Sequence, residues 1–192
     1  MSEIVTLESI AENIASGLTP LRSNEMFWTN GVIYWLKTEQ IGERYIFHTS
    51  ELISLKALQE TSIKLFPENS ITIAMYGEGR TRGRVSILKE KMTTNQACCN
   101  IVLKKNLANY LYVYYYLRTQ YDNIRSLSSG VRKNLNSKDI KEYKIPLPHI
   151  LTQQKIASIL SSLDDKIELN NKINDNLEKQ AKLLYDYWYV KL

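Results

Sequence analysis

Cysteine and histidine are scarce in this sequence, and the few that occur are poorly spaced for a metal site or a disulfide. The 192 residues include two cysteines, Cys98 and Cys99, and two histidines, His48 and His149. Adjacent cysteines cannot form an ordinary structural disulfide with each other. Metal sites favour short ligand spacings such as CxxC or HxxxH, and the sequence contains neither. We therefore expect two reduced, buried thiols, no metal site and no bound cofactor.

Long apolar runs are also missing. No run approaches the roughly 18 residues that a membrane-spanning helix needs. The first residues, MSEIVTLESIAENI, include acidic side chains and lack the basic stretch and apolar run of a secretory signal. These absences predict a soluble, cytoplasmic protein with no membrane partner.

The net charge is modest, but it is unevenly distributed. The formal charge is +5, and residues 1–150 hold 19 Lys and Arg against 14 Asp and Glu, whereas residues 151–192 hold 6 of each. A mildly basic segment joined to a neutral one suits contact with a polyanion through the first part only. A charge of this size is equally common in proteins that bind no nucleic acid.

Local patterns predict an α+β fold in two parts. Segments rich in Ile, Val and Tyr predict strands at 31–36, 69–76 and 84–89. Helical periodicity predicts helices at 54–66 and 106–127. Two prolines in KIPLPHI, residues 144–150, favour extended chain and end the mixed pattern. We therefore expect a globular domain at 1–150 and a helical element at 151–192.

Six tyrosines between positions 110 and 121 could form a platform on which DNA bases stack. The alternative is a buried helix face, because apolar side chains recur there at steps of three and four residues. These positions are Leu107, Tyr110, Leu111, Tyr114, Leu117, Tyr121 and Ile124. The spacing favours packing in the core.

Residues 152–189 contain neither glycine nor proline, so one long helix can form there, with Thr152 as its N-cap. Alternating steps of four and three residues define a coiled-coil seam. Its members are Ile156, Leu160, Leu163, Ile167, Asn170, Asn174, Leu177, Ala181, Leu184 and Trp188. An antiparallel pair of copies, with facing positions summing to 344, places Asn170 against Asn174 and apolar residues against apolar residues. A parallel pair and a helix folded back on its own domain remain alternatives.

The stretch MYGEGRTRGRVSIL, residues 75–88, holds three glycines and three arginines between two predicted strands. It is neither a P-loop nor a dinucleotide fingerprint, because both motifs lead into a helix and their glycine spacings differ. We predict a loop between strands with three arginines projecting from its tip: Arg80, Arg82 and Arg84. Arginine forks bind phosphates and guanine edges. A solvated, charged hairpin tip is the alternative.

No catalytic motif is present in the sequence. The [DN]PP[YFW] motif of amino-methyltransferases is absent, since no two prolines are adjacent. KDIKEYK, residues 138–144, resembles a nuclease D…ExK motif only loosely and lacks a preceding strand, so we interpret it as a solvated turn. We expect no catalytic residues and therefore no enzyme activity of the chain itself. A nuclease acting alone would need an acidic metal cluster.

Two long stretches resemble the specificity subunit of type I restriction-modification systems. SGVRKNLNSKDIKEYKIPLP, followed by QQKIASILSSLDDKIELNNKINDNLEKQAKLLYDYWYV, is similar to the end of a target-recognition domain and its spacer helix. LFPENSITIAMYGEGRTRGRVSIL and TTNQACCNIV are similar to the body of such a domain. The resemblance implies a non-catalytic subunit that reads double-stranded DNA. It also implies partners, namely methyltransferase subunits, which bind S-adenosylmethionine, and in some systems a restriction and translocase subunit.

The sequence departs from that family in two ways. The family commonly has a glutamate where Gln153 stands, so any ion pair there is lost. Full-length members contain two recognition domains and two spacer helices, whereas this sequence contains one of each. The resemblance therefore predicts a half-subunit that homodimerises through its C-terminal helix and reads a bipartite, palindromic site.

Loops of residues 1–150 should contact the DNA, with cationic side chains on phosphates and amide side chains on adenine. The candidate DNA-binding residues are Lys37, Thr38, Gln40, Tyr76, Arg80, Arg82, Arg84, Asn95, Gln96, Arg132 and Lys133. The alternative is a coiled-coil adaptor that binds only protein and has no DNA specificity.

Overall fold

The computed structural model describes residues 2–77, 79–127 and 134–190. The chain forms two compact units, Met1–Gln154 and Lys155–Leu192. The first is a mixed α+β unit, and the second is the greater part of one long helix. The predicted fold class, α+β with a long C-terminal helix, is confirmed. In the described part of the chain, no helix has both the length and the apolar character needed to span a membrane.

The elements are short except for the last helix. In chain order the strands are β1 (Glu3–Thr6), β2 (Ala11–Ser16), β3 (Ile33–Leu36), β4 (Tyr45–Ile46), β5 (Glu51–Ile53), β6 (Ile71–Ala74), β7 (Val85–Leu88), β8 (Met92–Thr94), β9 (Cys98–Leu103) and β10 (Lys144–Leu147). The helices are α1 (Leu7–Ile10), α2 (Leu55–Glu60), α3 (Tyr110–Thr119), α4 (Tyr121–Ser126), α5 (Ser137–Glu142) and α6 (Ile150–Tyr185). The strands predicted at 31–36, 69–76 and 84–89 are confirmed as β3, β6 and β7.

Three sheets organise the first unit. A five-stranded sheet has the order β2-β9-β6-β7-β4, in which only the β4–β7 pair is parallel. A three-stranded sheet has the order β5-β3-β8, and β1 pairs with β10 in a two-stranded sheet. Strands β6, β7 and β8 are buried at every position, and the sequences of β6 and β7 are accordingly mostly apolar.

The helix predicted at 54–66 is wrong beyond residue 60. Helix α2 begins after Ser54, whose hydroxyl accepts a hydrogen bond from the Ala57 amide, and it ends where Thr61 adopts an extended conformation. Phe66 then pairs with Met92 in a β-bridge. Its side chain is buried in the core in this extended conformation, so tertiary pairing overrides the helical spacing of the apolar residues.

The tyrosine-rich segment packs in the core as predicted, but the buried face differs from the predicted one: Tyr114, Leu117 and Ile124 are buried, whereas Tyr110, Leu111 and Tyr121 are half-buried. Tyr112, Tyr114 and Tyr115 are all buried, and the Tyr112 hydroxyl donates to the Pro146 carbonyl at 2.8 Å. The single predicted helix at 106–127 is divided, because Gln120 interrupts it between α3 and α4. Leu107, predicted to lie on the buried face, precedes the helix and is exposed.

The segment KDIKEYK is a helix rather than the predicted turn. Asn136 caps α5 by accepting from the Asp139 amide, while the Asp139 carboxylate accepts from the Asn136 amide. Ile140 on this helix is buried. The acidic residues therefore serve a capping box and the solvated face of a helix.

The two cysteines are free and fully buried on β9, as predicted. Burial raises the pKa of the Cys99 thiol to about 12 and raises that of Cys98 as well. Both side chains therefore remain neutral thiols at physiological pH and act as small core residues.

Gln153, in the first turn of α6, is buried at 1% exposure and connects three segments. Its Oε1 accepts from the Asn109 amide at 2.9 Å. Its Nε2 donates to the carbonyls of Leu107 at 3.0 Å and Pro148 at 2.8 Å. These contacts require both a donor and an acceptor, which an amide supplies and a carboxylate does not.

Helix α6 begins two residues before the predicted start. The amides of Thr152 and Gln153 both donate to the His149 carbonyl, so Thr152 lies inside the first turn and is not the N-cap. The helix continues to Tyr185 and ends in a π-helical turn, Asp186–Val190. Most apolar side chains of the second unit are exposed, including Leu163, Ile167, Leu177 and Trp188 at 51–60%.

Replacing Gln153 with Glu should lower the free energy of unfolding by about 2 kcal/mol near neutral pH, because two part-buried carbonyls lose their donor and face a buried carboxylate. The destabilisation should shrink as the pH is lowered, since a protonated carboxyl group can donate again. Urea denaturation followed by circular dichroism measures both effects. Gln154→Glu, an exposed neighbour in the same turn, is the matched control. Equal stability of the two variants would contradict this account.

Candidate nucleic-acid interface

Three loops that are distant in sequence meet at one end of the five-stranded sheet. The Met75 amide donates to the Ala97 carbonyl at 2.8 Å, which brings the β6–β7 loop next to the β8–β9 loop. The Asn95 amide donates to the Leu36 carbonyl at 2.9 Å, which adds the loop after β3. We call this the loop surface, defined by residues 37–43, 76–84 without Glu78, and 95–97.

The arginine-rich loop is a hairpin, as predicted. The Ala74 amide donates to the Arg84 carbonyl at 3.0 Å, and the Gly83 amide donates to the Ala74 carbonyl at 2.8 Å. Gly79 and Gly83 have φ of 58° and 86°, in the left-handed region that glycine adopts without strain. Arg80 and Arg84 are exposed in this hairpin.

Helix α4 packs against the arginine hairpin and stabilises it. The Tyr121 hydroxyl donates to the Arg80 carbonyl at 2.8 Å and accepts from Arg125 Nη1. A Cβ atom at Gly83 would lie 2.8 Å from Arg125 Cγ, so the hairpin packs closely on this helix. Arg82, predicted to project from the tip, is instead half-buried next to this close approach.

Around Lys37, in the loop after β3, positive and negative side chains are equal in number. Glu51 binds Arg22 at 2.5 Å and Lys37 at 2.7 Å, and Lys37 also binds Glu39 at 2.8 Å. The Arg22 guanidinium lowers the pKa of Glu51 against the effect of burial, with help from Lys37. Hydrogen bonds from Lys37 to Glu39 and Glu51 raise the pKa of Lys37. Lys37 therefore stays charged but is neutralised locally, and a phosphate would compete with two carboxylates for it.

The three candidate amide side chains differ in their capacity to pair with a base. The Asn95 Oδ1 accepts from the Ala97 amide and from Cys98 Sγ, both at 3.1 Å, so both of its lone pairs are used. Gln96 accepts from the Thr19 hydroxyl. Gln40 accepts only long hydrogen bonds from Ser50, at 3.3 and 3.5 Å. Gln40 and Gln96 retain donor and acceptor capacity, whereas Asn95 mainly shapes its turn.

The loop surface brings together nine of the eleven candidate residues: Lys37, Thr38, Gln40, Tyr76, Arg80, Arg82, Arg84, Asn95 and Gln96. Arg132 and Lys133 lie outside the described residues. Sequence reasoning missed the supporting groups Tyr121, Arg125, Arg22 and Glu51. No sequence signal identifies Tyr121, because its periodicity fits the predicted helix face. Among the described residues, no group of three or more His, Cys, Asp or Glu side chains could hold a metal ion.

Comparison with known proteins identifies the family of this chain. Residues 2–179 match the family described as type I restriction modification DNA specificity domain. The chain belongs to this family. A relative is the specificity subunit of the type I restriction enzyme MjaIX from Methanocaldococcus jannaschii, 32% identical over 193 residues, with 98% of this chain and 44% of that protein covered.

A second specificity-domain relative comes from Escherichia coli. It is the specificity subunit of type I restriction enzyme EcoR124I/EcoR124II, 28% identical, with 90% of this chain and 43% of that protein covered. The chain thus spans less than half the length of the curated relatives it matches. A solved type I restriction-modification S subunit from M. genitalium has a TM-score of 0.68 at 19% identity, covering all of this chain and 46% of that one. This likeness shows that the two share a fold.

Replacing Tyr121 with Phe should free the hairpin from α4 and lower the free energy of unfolding by about 1 kcal/mol, since the hydrogen bond to Arg80 can no longer form. Hydrogen exchange of the amides in residues 79–84 should become faster, because the hairpin opens more often. Tyr110→Phe serves as the control, because it removes a hydroxyl from α3 and leaves the Arg80 hydrogen bond intact. Unchanged exchange in the hairpin would mean that Tyr121 does not hold it.

Proposed function

We propose that this chain is a DNA-recognition component of a type I restriction-modification system, which reads DNA sequence through its loop surface and contributes no catalytic group. The observation that carries the proposal is the meeting of three loops, each holding candidate residues, at one end of a sheet. Family membership independently points to DNA specificity. The proposal includes docking to methyltransferase subunits and, in some systems, to a restriction and translocase subunit.

Positive charge on the loop surface supports this assignment. Glu39 and Glu51 neutralise the charge of Lys37, so the exposed positive charge of the loop surface comes from the arginine hairpin. Arginine forks suit phosphate oxygens and guanine edges, and a hairpin can enter the major groove. Gln96, in the β8–β9 loop, is exposed, and its side-chain amide can pair with adenine.

We also propose that two copies pair through α6. The apolar seam residues of this helix are mostly exposed in the single chain, which is typical of a surface that binds a partner. Antiparallel pairing buries them against one another and sets Asn170 of one copy against Asn174 of the other. Polar seam residues of this kind select register and orientation at some cost in stability. Two recognition units at opposite ends would then read a bipartite, palindromic site.

Residues beside the seam favour the antiparallel orientation. Ile159 and Ile173 lie at positions that flank the seam, and both are exposed. In an antiparallel pair, the positions that flank the seam on one side of a helix face the same set of positions on the other helix. Ile159 then lies near Tyr187, and Ile173 lies near Ile173 of the other copy. In a parallel pair they would face Asp164 and Glu178. The antiparallel pair gains these apolar contacts but sets Asp164 near Glu178 in the other flanking column, so its advantage rests on Ile159, Ile173 and Tyr187 outweighing a like-charge pair at the surface.

Replacing Arg80 and Arg82 together with Ala should weaken binding to a random-sequence duplex and reduce the slope of log K against log salt, by about 0.9 for each phosphate that is no longer neutralised. Fluorescence anisotropy at several salt concentrations measures the slope. Lys64→Ala with Lys105→Ala, two exposed residues away from the loop surface, removes the same charge and should leave the slope unchanged. An unchanged slope in the arginine variant would favour the adaptor that binds only protein.

Replacing Asn170 and Asn174 together with Leu should stabilise the dimer and loosen its register, because the buried amides are removed. Sedimentation equilibrium measures the stability. A mixture of Leu160→Cys and Leu184→Cys chains reports register, since these positions face each other only in the antiparallel pair. In chains that retain Asn170 and Asn174, the main product should be the disulfide between a Leu160→Cys chain and a Leu184→Cys chain. When Asn170 and Asn174 are both replaced by Leu, disulfides between two Leu184→Cys chains should form as well.

Asn176→Leu is the control for this experiment, because it makes the same substitution at a position off the seam. It should change neither the dimer stability nor the cross-linking pattern. Dissociation of the Asn170 and Asn174 variant into monomers would contradict the proposed central layer.

A further inference from the structure

An open cleft of about 530 Å³ lies beside the arginine hairpin and extends beyond the loop surface. It lies between the hairpin, the Gly42 turn and the end of α3 with the start of α4. The charged and polar side chains that line it are Arg80, Arg84, Arg118, Glu43, Asp122 and Tyr121. Gly42 and Gly83 line it as well, so parts of its wall are bare backbone.

The cleft collects arginines from two separate elements. Arg80 and Arg84 come from the hairpin, whose backbone is held by the Tyr121 hydroxyl at 2.8 Å. Arg118 is an exposed residue in the last turn of α3 and was not among the candidates named from sequence. Three guanidinium groups against two carboxylates leave a net charge of +1, so the site favours an anion.

The form of the cleft favours a phosphodiester over a base or a small metabolite. A base pocket would be closed and lined mainly by apolar or aromatic walls, whereas this cleft is open and, apart from Val85 and Tyr121, is lined by charged side chains and glycine backbone. Planar guanidinium forks match the oxygens of a phosphate. The volume accommodates a phosphate together with its neighbouring sugars, and the cleft is continuous with the loop surface through Arg80 and Arg84.

We propose that Arg118 neutralises one backbone phosphate of the DNA, next to the phosphates bound by Arg80 and Arg84 and to the segment read by the loop surface. This inference rests on the proposed function and extends the interface from the loops onto α3. Arg118 then positions the duplex and reads no base. Its removal should weaken binding to all sequences alike.

The test is the salt dependence of DNA binding by the full chain carrying Arg118→Ala. The slope of log K against log salt should fall by about 0.9, and the affinity at 0.1 M salt should fall by about eight-fold, since one phosphate is no longer neutralised. Arg118→Lys keeps the charge and should restore most of the slope. Lys64→Ala removes one exposed charge outside the cleft and should change neither quantity. Circular dichroism confirms that each variant is folded.

The outcomes separate this inference from the proposed function. A slope that falls in the Arg80 and Arg82 double variant but not in Arg118→Ala overturns the role of Arg118 and leaves the proposed function intact. A slope that is unchanged in both variants overturns both. ATP, titrated alone, probes a free nucleotide as the source of the phosphate. Binding of ATP that depends on Arg118, with an unchanged DNA slope, would also overturn the assignment to DNA.

Discussion

The loop surface depends on main-chain hydrogen bonds made at the beginning of β9. The Cys98 carbonyl accepts from the Gly17 amide at 3.2 Å, and the Ala97 carbonyl accepts from the Met75 amide at 2.8 Å. A Cβ at Gly17 would lie 2.0 Å from the Thr94 carbonyl oxygen, so only glycine permits this approach. Because these bonds use backbone groups, they fix where the loops begin whatever side chains the loops carry. The geometry of the interface is thus decided inside the sheet, beneath the residues that would touch DNA.

Charge on this surface is arranged by pairing as well as by composition. The net charge of +5 does not show that Lys37 is balanced by two carboxylates while Arg80 and Arg84 of the hairpin are exposed. Tyr121 and Arg125 hold the hairpin through α4 rather than through the sheet. The hairpin is therefore supported from two sides, and its exposed guanidinium groups start from a defined backbone. Preorganisation of this kind reduces the entropic cost when long side chains bind a phosphate.

Spacing and composition predicted the main elements, and they failed where tertiary contacts decide. The long helix α6 and the strands β3, β6 and β7 follow from spacing and composition, whereas the tyrosine-rich helix is in the core with a different face buried from the one that the spacing indicated. Residues 61–66 have helical spacing but are not helical, because Thr61 is extended and Phe66 pairs with Met92. The candidate loops could be named from residue types, since arginines and amides between strands suit DNA. The orientation of each amide side chain could not be predicted from residue type. Asn95, for example, uses both lone pairs of its Oδ1 within its own turn. Gln153 makes the same point, since the sequence indicated only a missing ion pair there, whereas the structure has a buried amide with three partners.

The separation between a backbone frame and the side chains that it displays has a consequence for how recognition can change. Tyr76, Arg80, Arg84 and Gln96 are exposed, and none supplies a side chain to the core. Substitutions at such positions typically alter the free energy of unfolding by no more than about 0.5 kcal/mol. New residues can therefore be tried at the loop tips while the fold stays intact. Under the proposed function, such a scaffold could acquire new specificities by drift at its surface, and randomised tip positions would be the starting point for redirecting it to a chosen sequence.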